Sequence, residues 1–427
     1  MKNRIKQYLL AASMCVGLTA CSDFFEPIPG VQFGLDETFA SKQRTEEYLN
    51  NVYSYVREVT DAIHPNTYGG IFTEASLDGA NRWNKTYAEW TNGSFNSASA
   101  QASEYFSKYY QAIAKASTFI QNVDKCTEAA ASTRGKWKSE ARALRAYYYF
   151  ELLRLYGPIP LIGEDPIPLD ASLEELIKER NSVDECVNFI ATELQSAIDS
   201  GDLLQRAGKA NLGRMDVATC MALKAKLYLY WASPLFNGNT DQASVKNKDG
   251  KQLFPQTEDH SKWTQTRDAY ERFMTFATGQ GYKLTEVYTN GKLDPYASCR
   301  AAGEFFTTTW EAVDELIFVK LRDLYDYTYW VCPKFTDFQD TDVTGGGGYY
   351  TTQETVDLFF TKDGLTIEED PGYDKFEGIP GANNFTSGRY YDPNNPSRLY
   401  FDADKSKVLK QWKDREPRFY VNITYSG

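Results

Sequence analysis

The sequence predicts a mostly α-helical fold: tetratricopeptide-like stacked helix pairs, mainly over residues 40–280, carrying an irregular, loop-rich region with short strands over residues 281–427. Three observations carry this reading. Six segments in the first two thirds space their apolar residues by three and four, the period of one helical face. One of them, EARALRAYYYFELLRLYGPIPLI at residues 140–162, carries two apolar stripes where a surface helix has one. After Tyr282 the periodicity fades, Gly345 to Gly348 form a flexible run, and residues 368–395 are rich in turn formers.

Taken in order, Tyr48, Val52, Tyr55 and Val59 mark the first helix, and Tyr105, Tyr109, Ala112, Ala116, Phe119 and Val123 the second. In the third, Ala141, Leu144, Tyr148, Leu152 and Leu155 share one stripe, while Ala143, Ala146, Tyr147, Phe150 and Leu153 lie roughly opposite. Arg142, Arg145 and Tyr149 form one seam between the stripes, and Glu140 with Glu151 the other. A helix with two apolar faces is predicted to lie between neighbours, as the inner helices of a layered array do. Gly157, Pro158 and Pro160 stop it, because glycine suits a positive φ and proline lacks the next N–H.

Ser182 and Glu185 have capping-box spacing at the start of the fourth helix, which places Cys186, Ile190, Leu194 and Ala197 on one face and ends at Gly201. From Asp216 to Trp231, Ala218, Ala222, Ala225 and Leu229 make a stripe of mostly small residues, closed by Ser233 and Pro234. The sixth segment, 262–278, has Trp263, Tyr270, Phe273 and Ala277 in register. No strict 34-residue period accompanies the six. Beyond them, only residues 315–320 and 419–425 read as strands.

Residues 1–20 read as a secretion signal, with Lys2, Arg4 and Lys6 ahead of an apolar run too short to span a membrane. Leu18-Thr19-Ala20-Cys21 has the form of a lipobox, making Cys21 the lipidated first residue of the mature chain; ordinary cleavage after Ala20 is the alternative. Removing the signal takes away three positive charges and shifts the net charge from −12 to about −15. A chain of that sign without a basic, aromatic-interleaved patch is a poor partner for nucleic acid. Cys126, Cys186, Cys220, Cys299 and Cys332 show no zinc spacing; Cys186 and Cys220 read as buried helical thiols, and Cys299 with Cys332 as a disulfide candidate.

Catalytic signatures are scarce. The sequence has no Gly-x-Ser-x-Gly, no His-Glu-x-x-His and no Cys-x-x-Cys, and its two histidines, His64 and His260, leave little for imidazole chemistry. Residues 201–209 mimic a phosphate loop but place six residues between the glycines and lack the closing Ser or Thr. Asp337, Asp340 and Asp342 read as a solvated turn, their spacing unlike a calcium loop. No metal or cofactor is expected. With 58 acidic residues, a facing carboxylate pair of the glycosidase kind stays open.

Aromatic residues make up 15 % of the chain, and most of them are expected in the core. The binding candidates are those on connections. DGANRWNKTYAEW, residues 78–90, surrounds Trp83 with Asp78, Asn81, Arg82 and Asn84. A flat ring beside amide, guanidinium and carboxylate groups suits a sugar, which offers C–H groups on its face and hydroxyls on its edge. The other reading of Trp83 is a loop anchor packed on the helices. In LYDYTYW, residues 324–330, an extended strand would put Tyr325, Tyr327 and Tyr329 on one side and Trp330 on the other, either to meet a ligand or to cover a sheet or helix face.

Residues 140–162 resemble the most recognisable segment of the SusD/RagB family of Bacteroidetes surface lipoproteins. CSDFFEPIP, RTEEYLNNVYSYV, YYQAIAKASTFIQNV, GRMDVATCMALKAKLYLYWASPLFNG, TQETVDLFFTKDG and WKDREPRFYVNITYSG extend the likeness, in order, over nearly the whole chain. The resemblance implies a signal peptide at 1–20 and one domain at 21–427, with tetratricopeptide-like helix pairs supporting a loop-rich ligand region. It also implies a non-enzymatic binding lipoprotein at the cell surface, anchored in the outer membrane through Cys21. Such a protein captures oligosaccharides, or in some branches peptides, and works as a hinged lid on a SusC-like TonB-dependent transporter. Family members continue well beyond a motif like EPRFYVNITYSG, so a C-terminal truncation is expected. A surface glycoside hydrolase and a plain interaction scaffold are the alternatives from other classes.

Overall fold

The computed structural model describes residues 34–56, 79–81, 93–165, 171–304, 314–320, 349–374 and 407–423, with short pieces at 76, 89, 167, 385–387, 391–392 and 395–399. Among the described residues, the helices of the first two thirds, a four-residue turn at Leu173–Leu176 aside, are α1 (Leu35–Ala40), α2 (Lys42–Ser54), α3 (Ala100–Asn122), α4 (Ala131–Tyr156), α5 (Val183–Asp199), α6 (Val217–Ala232) and α7 (Ser261–Gly279). Each of α3 to α7 packs on the next, and α2 lies against both α3 and α4. Stacked helix pairs are therefore the observed architecture. Helix α5 opens on the expected capping box, with Ser182 accepting from the Glu185 N–H and Glu185 accepting from the Ser182 N–H.

Helix α4 explains its own aromatic run. Successive residues on a helix point 100° apart, so four consecutive rings reach four different neighbours. Tyr147 meets the Phe318 ring edge-on at 6.2 Å. Tyr148 donates to the Val52 carbonyl of α2 and stacks on Tyr109 of α3 at 6.0 Å. Tyr149 donates to the Ile162 carbonyl (2.8 Å), accepts from the Ile162 N–H (3.0 Å) and meets Phe189 of α5 edge-on. Phe150 meets Tyr230 of α6 at 5.6 Å. Gly157 then turns the chain with φ +68°.

The charged seams of α4 are buried as well. Arg145 is 1 % exposed and donates from Nε and Nη2 to Glu193 of α5 and from Nη1 to Ser117 of α3. On the other side, Glu140 accepts from Tyr53 of α2 (2.9 Å) and from Arg214 (3.2 Å), while Glu151 pairs with Arg154 (2.7 Å). Full carboxylates and guanidiniums tolerate such burial only because each is paired.

Several expectations are corrected. Helix α2 ends at Ser54, and Val59 lies outside the described residues. Trp263 was expected on the packed face of α7, yet it is 42 % exposed; Lys262, Thr266, Ala269, Phe273 and Ala277 make that face. Lys262 can be buried because its ammonium sits 4.4 Å from the centre of the Trp231 ring and pairs with Asp184 at 2.9 Å. Leu229 likewise faces outward, and Leu227 and Trp231 take its place in the core.

Neither predicted strand forms among the described residues. Residues 417–422 are helix α10 (Pro417–Asn422) after α8 (Pro295–Glu304) and α9 (Gln353–Asp357). Pro417 pre-sets φ for a first helical turn, which overrides the β-preference of Phe419, Tyr420 and Val421. Residues 314–320 form an irregular strap lashed to the helices. Asp314 accepts from Arg206 (2.9 Å), the Ile317 carbonyl accepts from Thr219 (3.3 Å), and Lys320 donates to the Ser54 and Val56 carbonyls at the end of α2. A strand ladder is replaced by side-chain partners already fixed on the array.

The described strands are short antiparallel pairs: β1 (Ala80–Asn81) with β4 (Tyr349–Tyr350), β2 (Tyr288–Thr289) with β3 (Lys292–Leu293), β5 (Phe385–Ser387) with β8 (Lys407–Leu409), and β6 (Tyr391–Asp392) with β7 (Asn395–Leu399). Near the C-terminal end, Arg415 is 1 % exposed and serves as a clamp. Its Nη2 donates to the Val356 and Phe359 carbonyls at the end of α9 (2.6 and 2.7 Å), and its Nη1 donates to the Tyr373 hydroxyl at 2.8 Å. The rings of Tyr373 and Phe419 flank it at 5.2 and 5.1 Å.

Candidate functional site

Residues 57–98 connect α2 to α3, and they are where the sequence places its strongest binding candidates. The structure ties this connection to the late region through the β1–β4 pair, with Ala80 opposite Tyr350 and Asn81 opposite Tyr349. Residues directly opposite in an antiparallel pair share a face. Tyr350 stays 52 % exposed. An exposed ring in register beside the Asn81 segment is a feature that the sequence reading missed; the only signal was a pair of tyrosines directly after the glycine run.

Two enclosed oxygens lie on these segments, one on the connection and one directly after β4. Glu89 Oε2 and Thr351 Oγ1 are buried without a hydrogen-bond partner. An unmade bond at a buried polar atom costs about 1–3 kcal/mol, so such atoms mark places where a water or ligand group would be held. The Glu89 carbonyl meanwhile accepts from the Phe95 N–H at 3.0 Å, closing the far end of the connection.

Where the connection departs, after Val56, a polar cavity of about 510 Å³ opens among Glu46, Tyr53, Lys136, Arg214, Phe318 and Lys320. Its wall is a fixed network. Tyr53 donates to Glu140 (2.9 Å) and accepts from the Met215 N–H (2.9 Å). Arg214 lies 5.2 Å from the Tyr53 ring centre and bridges Glu46 and Glu140, each at 3.2 Å. Burial raises the Glu140 carboxyl above its usual range, and Arg214 opposes that rise. Such a wall offers oriented donors and acceptors beside aromatic faces, the chemistry of a site for polar, neutral ligands.

Of the sequence-predicted site residues, Asn81 has its backbone in β1. Asp78, Arg82, Trp83 and Asn84 lie outside the described residues, as do Tyr325, Tyr327, Tyr329, Trp330, Cys21, Cys332 and the Asp337, Asp340, Asp342 turn. Cys299 carries a free, partly exposed thiol. Cys186 and Cys220 are buried, and burial pushes the Cys186 thiol up to about 11. Among the described residues, no three His, Cys, Asp or Glu side chains gather where they could hold a metal ion. No helix among them is long and apolar enough to cross a membrane.

Comparison with known proteins places residues 32–229 in a SusD-like family described as starch-binding and associating with the outer membrane, and residues 315–427 in the SusD family. A SusD-like protein of Bacteroides ovatus is 27 % identical over 175 residues, which cover 39 % of this chain and 30 % of that one. Among solved structures, the protein BT4246 superposes with a TM-score of 0.67 at 23 % identity, over 89 % of this chain and 64 % of its own. Surface glycan-binding protein A from Bacteroides uniformis gives a TM-score of 0.51 at 16 % identity, over 75 % of this chain and 61 % of its own. The chain thus spans somewhat under two thirds of the length of these structures and about a third of the curated relative.

Proposed function

The chain belongs to the SusD family, and on that premise we propose that it captures oligosaccharides at the cell surface and delivers them to a SusC-like TonB-dependent transporter of the outer membrane. The observation that carries the proposal is the pair of family matches lying in chain order on the helical array and on the late region that it supports. The name of the Bacteroides uniformis structure supports glycan as the ligand class. In this reading Trp83, with Asp78, Asn81, Arg82 and Asn84, meets the sugar, Tyr350 adds a second ring, and Tyr327, Tyr329 and Trp330 approach from the connection that leads to β4. Cys21 anchors the protein to the outer membrane.

The site is a binding site without a catalytic role. A glycosidase needs an acid and a base in separate environments. At the polar cavity, Glu46 on the lining and the buried Glu140 behind it are instead joined by one guanidinium, that of Arg214. The test incubates the chain from Cys21 with labelled oligosaccharides and peptides, scoring binding and products together, alongside Trp83→Ala and Tyr350→Ala. Oligosaccharide binding without turnover, weakened roughly three- to tenfold by either substitution, is expected, as loss of one stacked ring implies. Turnover would replace capture with hydrolysis, and binding of peptides alone would change the ligand class.

A further inference from the structure

A separate cleft of about 390 Å³ lies between the first turns of α3 and the end of α4, lined among others by Phe95, Ser97, Ser103, Phe106, Tyr156 and Arg180. Ser103, Phe106 and Tyr110 are spaced by three and four and share one face of α3. Phe106 is gripped by two rings, Tyr156 edge-on at 5.3 Å and Tyr110 at 4.7 Å. Those supports are themselves tied down: Tyr156 donates to the Ala102 carbonyl (2.8 Å) and Tyr110 to the Pro160 carbonyl (2.7 Å). Despite this grip Phe106 stays 38 % exposed and lines the cleft. An aromatic platform that is fixed yet uncovered has already lost the freedom that binding would otherwise take from it.

The rim supplies the polar half. Arg180 is exposed, and among the described residues its guanidinium makes no ion pair or side-chain hydrogen bond. Ser97 and Ser103 add hydroxyls on the other side. A ring face with guanidinium and hydroxyl groups around it matches a pyranose, apolar on its face and polar at its edge. A lipid chain would leave the guanidinium unused, and a phosphate would leave the ring unused.

We propose that this cleft is a second saccharide subsite, with the C–H face of a pyranose on Phe106 and its hydroxyls turned to Arg180, Ser97 and Ser103. The inference rests on the glycan-capture reading and extends it to a site on the helical array itself. Phe95 ends the same connection that carries Trp83, so one segment contributes to both sites.

Calorimetric titration of the chain with maltoheptaose, laminarihexaose, cellohexaose and xylohexaose tests it, with Phe106→Ala, Phe106→Trp and Arg180→Ala beside Trp83→Ala. For whichever probe binds, Phe106→Ala is expected to weaken affinity about three- to tenfold, as loss of one stacking face implies, while Phe106→Trp retains it. Arg180→Ala, an exposed change that leaves the fold intact, is expected to weaken it about two- to fivefold, the scale of one lost polar contact. Affinity unchanged in Phe106→Ala and Arg180→Ala but lowered in Trp83→Ala would overturn the second subsite and leave capture standing. No binding of any of these probes by the unaltered chain would overturn both.

Discussion

Arg145 and Glu193 show how much single residues carry here. Both are nearly inaccessible to solvent; Glu193 is the carboxylate that Arg145 pairs with, and its other oxygen accepts from Arg142. Glu193→Ala leaves a buried guanidinium unpaired and is expected to lower unfolding stability by about 3–5 kcal/mol, whereas Arg145→Met with Glu193→Leu should cost far less. Urea unfolding of the single and double variants measures the difference. Cys186 gives a pH signature. Burial raises its thiol from 9.0 to about 11, so the folded chain holds that proton across a window in which the unfolded chain has released it. Stability is therefore expected to fall as pH rises from about 9 to 11, and Cys186→Ala to lessen the slope of unfolding free energy against pH. The thiol should also resist alkylation at pH 8 in the folded chain and react once it is unfolded, which peptide mapping would reveal.

The same economy holds for elements. The strap at 314–320 stays on the array because Gly213, at φ +83°, lets it approach closely; a Cβ there would stand 2.8 Å from the Val319 carbonyl. Gly213→Ala combines that clash with an unfavourable φ and is expected to cost about 1–3 kcal/mol. Hydrogen exchange should then rise at 314–320 and at the end of α2, where Lys320 caps the Ser54 and Val56 carbonyls. At the start of α5, Ser182→Ala removes one half of the capping box and is expected to cost about 1 kcal/mol in the same measurement. The strap was legible in the sequence only as a run of apolar residues. Residues 315–320 read as a strand because four consecutive apolar residues, three of them Ile, Phe and Val, lie between charged ends, and nothing local says that the partners are Thr219 and Arg206, both about a hundred residues earlier.

For the whole molecule, the proposal makes residues 1–20 a signal, the array a rigid support and the late region its binding surface, joined as one unit by the strap and by the β1–β4 pair. Cys21→Ser is expected to move the protein from the membrane fraction to the soluble fraction while leaving oligosaccharide affinity unchanged, which fractionation followed by titration would check. Several acyl chains on one residue hold a protein stably where a single chain gives only marginal binding. In detergent extracts, the lipidated chain is expected to copurify with a TonB-dependent barrel protein; recovery without one would count against the delivery step.

Helices α3 to α7, the stops of α4 to α6 and the sandwiched position of α4 were legible in the residues alone, because helical period, capping box and glycine or proline stops are encoded within one or two turns. The sequence also carried the family, through motifs of local spacing. Which faces of α6 and α7 are covered emerges from packing, since cation–ring contact and ion pairing let Lys262 displace Trp263 from the packed side. The tertiary structure alone decided that Tyr350 pairs with Ala80 and stands exposed. Those outcomes depend on partners far away in the chain, and residue spacing holds no record of them.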